Sequence, residues 1–148
     1  MTRLDDTRDF IPNRIAVLTV RDTRTAADDR SGDTLVERLS TAGHTLAARG
    51  IVPDDRSTIA AQLRAWCADP AIDVILTTGG TGLTGRDVTV EAHRDVYEKE
   101  IEAFAIIFTI VSMQKIGTSA VQSRACGGVA QGTYLFALPG SPSACRDA

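Results

Sequence analysis

The stretch Leu76-Thr77-Thr78-Gly79-Gly80-Thr81-Gly82-Leu83-Thr84-Gly85-Arg86-Asp87-Val88-Thr89-Val90-Glu91 places a glycine-rich turn, an acidic residue and a helix start directly after a buried strand. It reads as an anion site at a strand-to-helix junction. Gly79, Gly80 and Gly82 carry no Cβ and reach positive φ without strain, so successive backbone N–H groups can converge on phosphate oxygens. Asp87 adds a carboxylate where anions are otherwise favoured. A hard cation such as Mg²⁺, which takes oxygen ligands alongside phosphates, reconciles the two. The implied ligand is a metal-bound nucleotide or phosphorylated cofactor. A strand-to-helix connection can also be glycine-rich for structural reasons alone, so the loop by itself does not decide between them.

The flanking sequence supplies the architecture. Residues 14–20 form a short, nearly continuous apolar run with β-branched members, as expected of a strand covered on both faces. Ser31, Asp33 and Thr34 offer N-caps, and Leu35, Leu39 and Ala42 recur at helical spacing, which predicts an amphipathic helix ending at Gly43. Residues 44–52 read as a second strand, broken by Pro53. Ile59, Leu63, Trp66 and Cys67 then stripe a second helix that begins near Ser57 and stops at Pro70. Residues 74–77 feed the glycine loop, and a helix starts near Thr89. Phe104, Ile107, Phe108 and Val111 mark a further helix closed by Gly117, with Phe104, Ile107 and Phe108 expected in the core or at a subunit interface. A late strand over residues 133–138 runs into Pro139-Gly140-Ser141-Pro142, where Ser141 caps a helix with Pro142 at its first position.

Strands alternating with helices predict an α/β three-layer sandwich, a mostly parallel sheet with helices on both faces. Ligands of such sheets bind at the carboxyl ends of the strands. Asp22, Asp54, the glycine loop and Gly140 all fall at such ends. Residues 1–13 are expected to form an N-terminal arm, and residues 14–148 a single domain.

With 148 residues, 43% hydrophobic and 24% charged, the chain suits one globular core. A net charge of −3 and the lack of a dense Lys/Arg run argue against a general nucleic-acid binder. An anionic ligand would have to be held locally, by loop amides and arginines such as Arg86 and Arg124. The longest apolar run, residues 103–111, is roughly half of what a membrane-spanning helix needs, and the acidic N-terminus lacks a signal-peptide core. A soluble, cytoplasmic protein is expected, with no membrane partner. Cys67, Cys126 and Cys145 are odd in number and lack a metal-binding spacing, which points to reduced packing thiols. His44 and His93 have no partner at ligand spacing, and His93 is expected on a solvated helix face.

Rival motifs fail on context. Gly80-Thr81-Gly82-Leu83-Thr84-Gly85 has the dinucleotide-binding spacing but follows the third strand rather than the first, and Glu102, the nearest acidic candidate, lies in predicted helix. No Gly-Lys-Ser/Thr follows the glycines, which excludes a P-loop. Gly140-Ser141-Pro142-Ser143-Ala144 lacks the second glycine of a nucleophile elbow.

Several ordered motifs together carry a more specific signal. Thr77-Thr78-Gly79-Gly80-Thr81-Gly82 with Arg86-Asp87-Val88-Thr89 and Glu91-Ala92, Glu100-Ile101 with Phe104, Ile116-Gly117 with Ser123-Arg124-Ala125, and Leu138-Pro139-Gly140-Ser141-Pro142 resemble the molybdenum cofactor biosynthesis proteins MoaB and MogA. The G domains of gephyrin and of the plant Cnx protein are the eukaryotic relatives. Val20-Arg21-Asp22, Ser31-Gly32 and Cys145-Arg146 tilt the resemblance to the MoaB branch.

That resemblance implies adenylylation of molybdopterin by Mg²⁺-ATP, giving adenylyl-molybdopterin and pyrophosphate. Carried over by motif position, Asp54 and Asp87 are the catalytic carboxylates and hold the Mg²⁺. Thr78, Gly79, Gly80, Thr81 and Gly82 cradle the ATP phosphates, and Pro139, Gly140 and Ser141 border the nucleotide. Asp22, Ser123 and Arg124 match the pterin side. The residues themselves leave other roles open: Asp22 could cap a turn, Asp54 or its neighbour Asp55 could cap the second helix, and Arg124 could be a surface ion-pair residue. The resemblance further implies a homotrimer, or a hexamer built from two trimers. Two departures stand out: Gly85 replaces a stiffer residue, and the helix expected after Ser141 is truncated at Ala148. A MoaB-type paralogue that binds pterin or nucleotide without turnover would carry nearly the same residues.

Overall fold

The structure, a computed structural model, describes residues 5–22 and 28–148. The first four residues of the N-terminal arm lie outside the described residues. Six strands form one sheet: β1 (Arg14–Val20), β2 (Thr45–Val52), β3 (Val74–Thr78), β4 (Lys99–Glu100), β5 (Cys126–Ala130) and β6 (Thr133–Leu138). Their order is β2-β1-β3-β6-β5-β4. β2, β1, β3 and β6 run parallel, and β5 and β4 add an antiparallel edge.

Helices cover both faces. α2 (Arg56–Cys67) and α3 (Thr89–Val96) lie on one side. There Leu18 and Ile75 of the sheet meet Ile59 and Leu63 of α2. α1 (Arg30–Thr41), α4 (Glu102–Ile116) and α5 (Pro142–Asp147) cover the other. On that side Ile15 and Val17 meet Leu35, Leu39 and Cys145. Successive β1 side chains therefore alternate between two cores, which is why its sequence is apolar throughout rather than every second residue. Each fully buried leucine or isoleucine contributes on the order of 1.5–3 kcal/mol. The α/β sandwich with a mostly parallel sheet is as expected.

Several local expectations are corrected. α1 starts two to five residues before its proposed caps Ser31, Asp33 and Thr34: Asp29 is the N-cap, and its Oδ1 accepts the Gly32 amide at 3.1 Å. β5 was not expected at all. It pairs with β6 through a tight turn in which Gln131 and Gly132 both have positive φ, 50° and 76°. His93 is fully buried rather than solvated. Its Nε2 lies 2.8 Å from Thr77 Oγ1 and its Nδ1 3.0 Å from the Tyr97 hydroxyl, so two polar partners compensate its burial. Burial also pushes its pKa down to about 3, so the ring is neutral at pH 7.

Phe108 is buried and Phe104 half-buried, whereas Ile107 is 61% exposed. α4 continues into a 3₁₀ helix, Gly117–Gln122. The combined segment Glu102–Gln122 has 21 residues and contains an 18-residue window of mean hydropathy 1.5, so by length and composition it is long and apolar enough to cross a membrane. A count of contiguous apolar residues stops at Ser112, and Ser112 and Gln114 interrupt the run without making the helix polar. In the fold this helix is a sheet-covering layer, with the Phe104 and Phe136 rings 4.8 Å apart.

Candidate functional site

The chain reverses its direction of winding between β1 and β3, and that switch point is where an open α/β sheet offers a crevice at its strand ends. Gly79 and Gly80 leave β3 with φ of 98° and 68°. A Cβ on Gly79 would stand 2.4 Å from the Val20 carbonyl oxygen, and one on Gly140 would stand 3.3 Å from the Gly79 Cα. The ends of β1, β3 and β6 thus converge on bare backbone, which at Gly79 only glycine permits. A cavity of about 260 Å³ opens beside them, lined by Thr19, Arg21, Asp29, Ser31, Gly79 and Gly140 among others. A larger cavity of about 540 Å³ lies between α1 and α4 on the sheet face. Its walls are mainly apolar, and it contains none of the predicted site residues.

Asp54 and Asp55 follow β2, and the structure separates their roles. Asp55 caps α2, its Oδ2 accepting the Thr58 amide at 2.9 Å and the Thr58 hydroxyl at 2.6 Å. Asp54 instead turns towards the glycine loop: a Cβ on Gly80 would lie 3.2 Å from Asp54 Oδ1. Burial raises the Asp54 pKa, and the negative charge of Asp87 raises it further. Asp87 shifts the other way. Its Oδ2 accepts the Thr84 hydroxyl at 2.7 Å and the Thr84 amide at 3.0 Å. These hydrogen bonds, the hydroxyl's first, hold its carboxyl below the usual range against the cost of burial. Two neighbouring carboxylates therefore sit in unlike environments. Gly82 is needed for this, because a Cβ there would approach Asp87 Oδ2 to 2.7 Å.

Arg124 lies beneath the loop as a clamp. Its Nε donates to the Thr81 and Gly82 carbonyls at 3.1 Å, its Nη2 to the Asp87 carbonyl at 3.2 Å and its Nη1 to Glu91 Oε1 at 2.9 Å. The guanidinium fork suits this task because its donors diverge in one plane. Its hydrogen bond and charge lower the Glu91 pKa. Asp22, beyond the end of β1, forms an ion pair with Arg86 of the loop. Thr78 is fully buried, and its hydroxyl donates to the Pro139 carbonyl at 3.1 Å, tying the ends of β3 and β6 together. Ser141 caps α5, accepting the Ala144 amide at 3.2 Å. Ser123 lies beside Pro139 and Ser141 on a small cavity of about 60 Å³.

Asp54, the glycine loop, Asp87 and Gly140 are thus brought to one end of the sheet, with Asp22 joined to them through Arg86. The loop-supporting part of this assembly was not legible in advance. Arg124 and Glu91 are far apart in sequence, and Thr89 looked like an ordinary helix start. Its hydroxyl is buried without a hydrogen-bond partner beside Gly80.

The two carboxylates fit a magnesium ion of the kind held by one or two protein carboxylates plus substrate phosphates. Among the described residues no cluster of three or more acidic, histidine or cysteine side chains could form a complete protein cage for a metal. The three cysteines are free and buried, as packing thiols are.

Comparison with known proteins agrees with this architecture. Residues 16–148 match the family described as a probable molybdopterin binding domain. The chain is 46% identical over 140 residues to molybdenum cofactor biosynthesis protein B of Escherichia coli K12, covering 95% of this chain and 82% of that protein. It is 39% identical over 142 residues to a probable molybdopterin adenylyltransferase of Methanocaldococcus jannaschii, covering 91% and 84%. A crystal structure of a molybdenum cofactor biosynthesis protein B superposes with a TM-score of 0.91 at 40% identity, covering 95% of this chain and 88% of that one. The tungsten cofactor synthesizing protein MoaB of Pyrococcus furiosus superposes with a TM-score of 0.83 at 32% identity, covering 92% and 87%. The chain belongs to the molybdopterin-binding-domain family of molybdenum cofactor biosynthesis proteins.

Proposed function

We propose that this protein adenylylates molybdopterin with Mg²⁺-ATP. The observation that carries the reading is the pair Asp54 and Asp87, set in unlike environments beside a glycine loop whose backbone can approach phosphates closely. An archaeal relative is named a probable molybdopterin adenylyltransferase, which supports the same reading. In the reaction an oxygen of the molybdopterin phosphate attacks the α-phosphorus of ATP. The bond from that phosphorus to the bridging oxygen of the β-phosphate breaks, and pyrophosphate leaves with the bonding electrons.

The nucleophile is an already ionised phosphate, so no general base is required and positioning dominates. Asp54 and Asp87 would hold the Mg²⁺, which supplies charge neutralisation on the nucleotide phosphates when bound. Gly79, Gly80 and Gly82 admit those phosphates, with Thr78 and Thr81 shaping the loop's backbone. Pro139, Gly140 and Ser141 border the nucleotide. Asp22 and Ser123 flank the pterin side. Arg124 supports this arrangement by holding the Thr81 and Gly82 carbonyls away from the anion, leaving the loop's donors to face it.

The test is to mix the purified protein with ATP, Mg²⁺ and molybdopterin and to follow pyrophosphate and the adenylylated pterin. Both are expected in equal amounts. Tight binding of pterin or nucleotide with no product would replace this reading by that of a binding-only paralogue.

Assembly into homotrimers, or hexamers of paired trimers, belongs to the same proposal. It is supported by the outer face of α4, where Ile106, Ile107, Ile110, Met113 and Ile116 are each more than half exposed. Light scattering at micromolar concentration is expected to give a mass of three or six chains, and a monomer would remove the proposal. A cytoplasmic setting agrees with three unpaired thiols.

A further inference from the structure

Thr89, the first residue of α3, is fully buried, and its hydroxyl oxygen has no hydrogen-bond partner. Its backbone is well placed, since the amide donates to the Gly80 carbonyl at 3.0 Å. A buried hydroxyl is normally satisfied, and an unsatisfied one is costly to keep. Its surroundings point to the missing partner. A Cβ placed on Gly80 would lie 2.3 Å from Thr89 Oγ1 and 3.2 Å from Asp54 Oδ1, with Val20 Cγ1 at 3.3 Å. The hydroxyl and the Asp54 carboxylate therefore border the same small space above the bare Cα of Gly80.

We propose that Thr89 is a positioning residue for Asp54, an inference that rests on the metal-nucleotide reading above. When the site is loaded, the Thr89 hydroxyl donates to Asp54 Oδ1 and fixes the carboxylate plane, leaving the other oxygen directed to the cation. Ligating carboxylates are commonly oriented by such hydrogen bonds, and loss of one weakens metal affinity by about 10–100-fold. Gly80 is then required for two reasons. It supplies the positive φ of the loop, and it leaves clear the space across which the hydroxyl meets the carboxylate.

The experiment measures Mn²⁺ affinity by electron paramagnetic resonance in the presence of ATP, together with Tm, for the wild type, Thr89→Ser, Thr89→Val, Asp54→Asn and the double variant Asp54→Asn/Thr89→Val. Thr89→Val is expected to weaken Mn²⁺ binding at least about tenfold while leaving Tm equal or higher, because an unsatisfied buried hydroxyl is replaced by a methyl of similar size. Thr89→Ser is expected to bind like the wild type. In the Asp54→Asn background, Thr89→Val is expected to add no further loss. Wild-type affinity in Thr89→Val overturns the role of Thr89 and leaves the metal reading standing. Equal losses of affinity and Tm in both Thr89 variants also overturn it, as they would mark a packing role. Failure of the wild type to bind Mn²⁺ with ATP defeats the metal reading and the role of Thr89 with it.

Discussion

Asp55 Oδ2 accepts the Thr58 amide at 2.9 Å, and this contact frees its neighbour Asp54 from any capping duty. The two adjacent aspartates can then be told apart by experiment. Asp55→Ala removes the cap of α2 and is expected to lower Tm by a few degrees while nucleotide affinity stays within about twofold. Asp54→Asn is expected to do the reverse. Its pKa is raised, so the protonated, neutral carboxyl favours folding below the unfolded-state pKa, and that contribution is lost as pH rises through the folded value and the group ionises. At pH 7 the charge is therefore a net burden on the fold, and Asn relieves it. Urea unfolding and ATP titration on both variants check the assignment.

Arg124 binds three loop carbonyls and Glu91, so its removal is expected to act on the loop as a whole. Arg124→Met leaves the partly buried Glu91 without its cation and is expected to cost about 1–3 kcal/mol. Arg124→Lys rescues little, because an ammonium cannot span four acceptors in one plane. As a clamp, Arg124 must affect ATP and pterin affinity together with Tm. A selective loss of pterin affinity at unchanged Tm would instead place it on the pterin as a direct contact.

What the sequence revealed and what it hid follow from where each signal resides. β1 and the Pro139-Gly140-Ser141 turn were legible because an unbroken apolar run and a Ser-Pro helix start are local signals. β5 was hidden because two of its five residues are glycines, which depress strand propensity. They are there for packing: a Cβ on Gly127 would stand 2.8 Å from the Phe136 ring and one on Gly128 2.4 Å from Tyr97. Asp87 was legible through its glycine loop. The clamp by Arg124 and the orphan hydroxyl of Thr89 depend on distant parts of the chain meeting, and no local spacing encodes them.

His93 makes stability pH-dependent above the range where carboxylates titrate. Its pKa falls from 6.5 to about 3 on burial, so the unfolded chain takes up a proton between those values and the folded one does not. Stability from the neutral ring is complete above the unfolded pKa and declines as pH falls towards 3. The loss is about 1 kcal/mol between pH 6.5 and 5.5. Unfolding free energies at those two pH values are expected to differ by about that much more in the wild type than in His93→Gln. An equal pH slope in both proteins would mean that His93 is protonated in the fold.

Asp87 offers the sharpest test of a metal ligand against a loop cap, because the proposed metal role can be separated from its hydrogen bonds to Thr84. Its Oδ2 accepts the Thr84 amide and hydroxyl, and the amide oxygen of Asn can accept the same pair. Asp87→Asn therefore keeps the loop while removing the charge that would hold Mg²⁺, whereas Asp87→Ala removes both. Adenylyl transfer is expected to fall about 10²-fold or more in Asp87→Asn, roughly 3 kcal/mol of transition-state stabilisation, with Tm nearly unchanged. Asp87→Ala is expected to lose comparable activity and also Tm. Asp54→Asn should match Asp87→Asn in rate, and the double variant should lose less than the product of the two, since carboxylates sharing one ion act as a unit. Full activity in Asp87→Asn, with only a lower Tm in Asp87→Ala, would make Asp87 a loop cap alone and leave Asp54 without a partner for the metal.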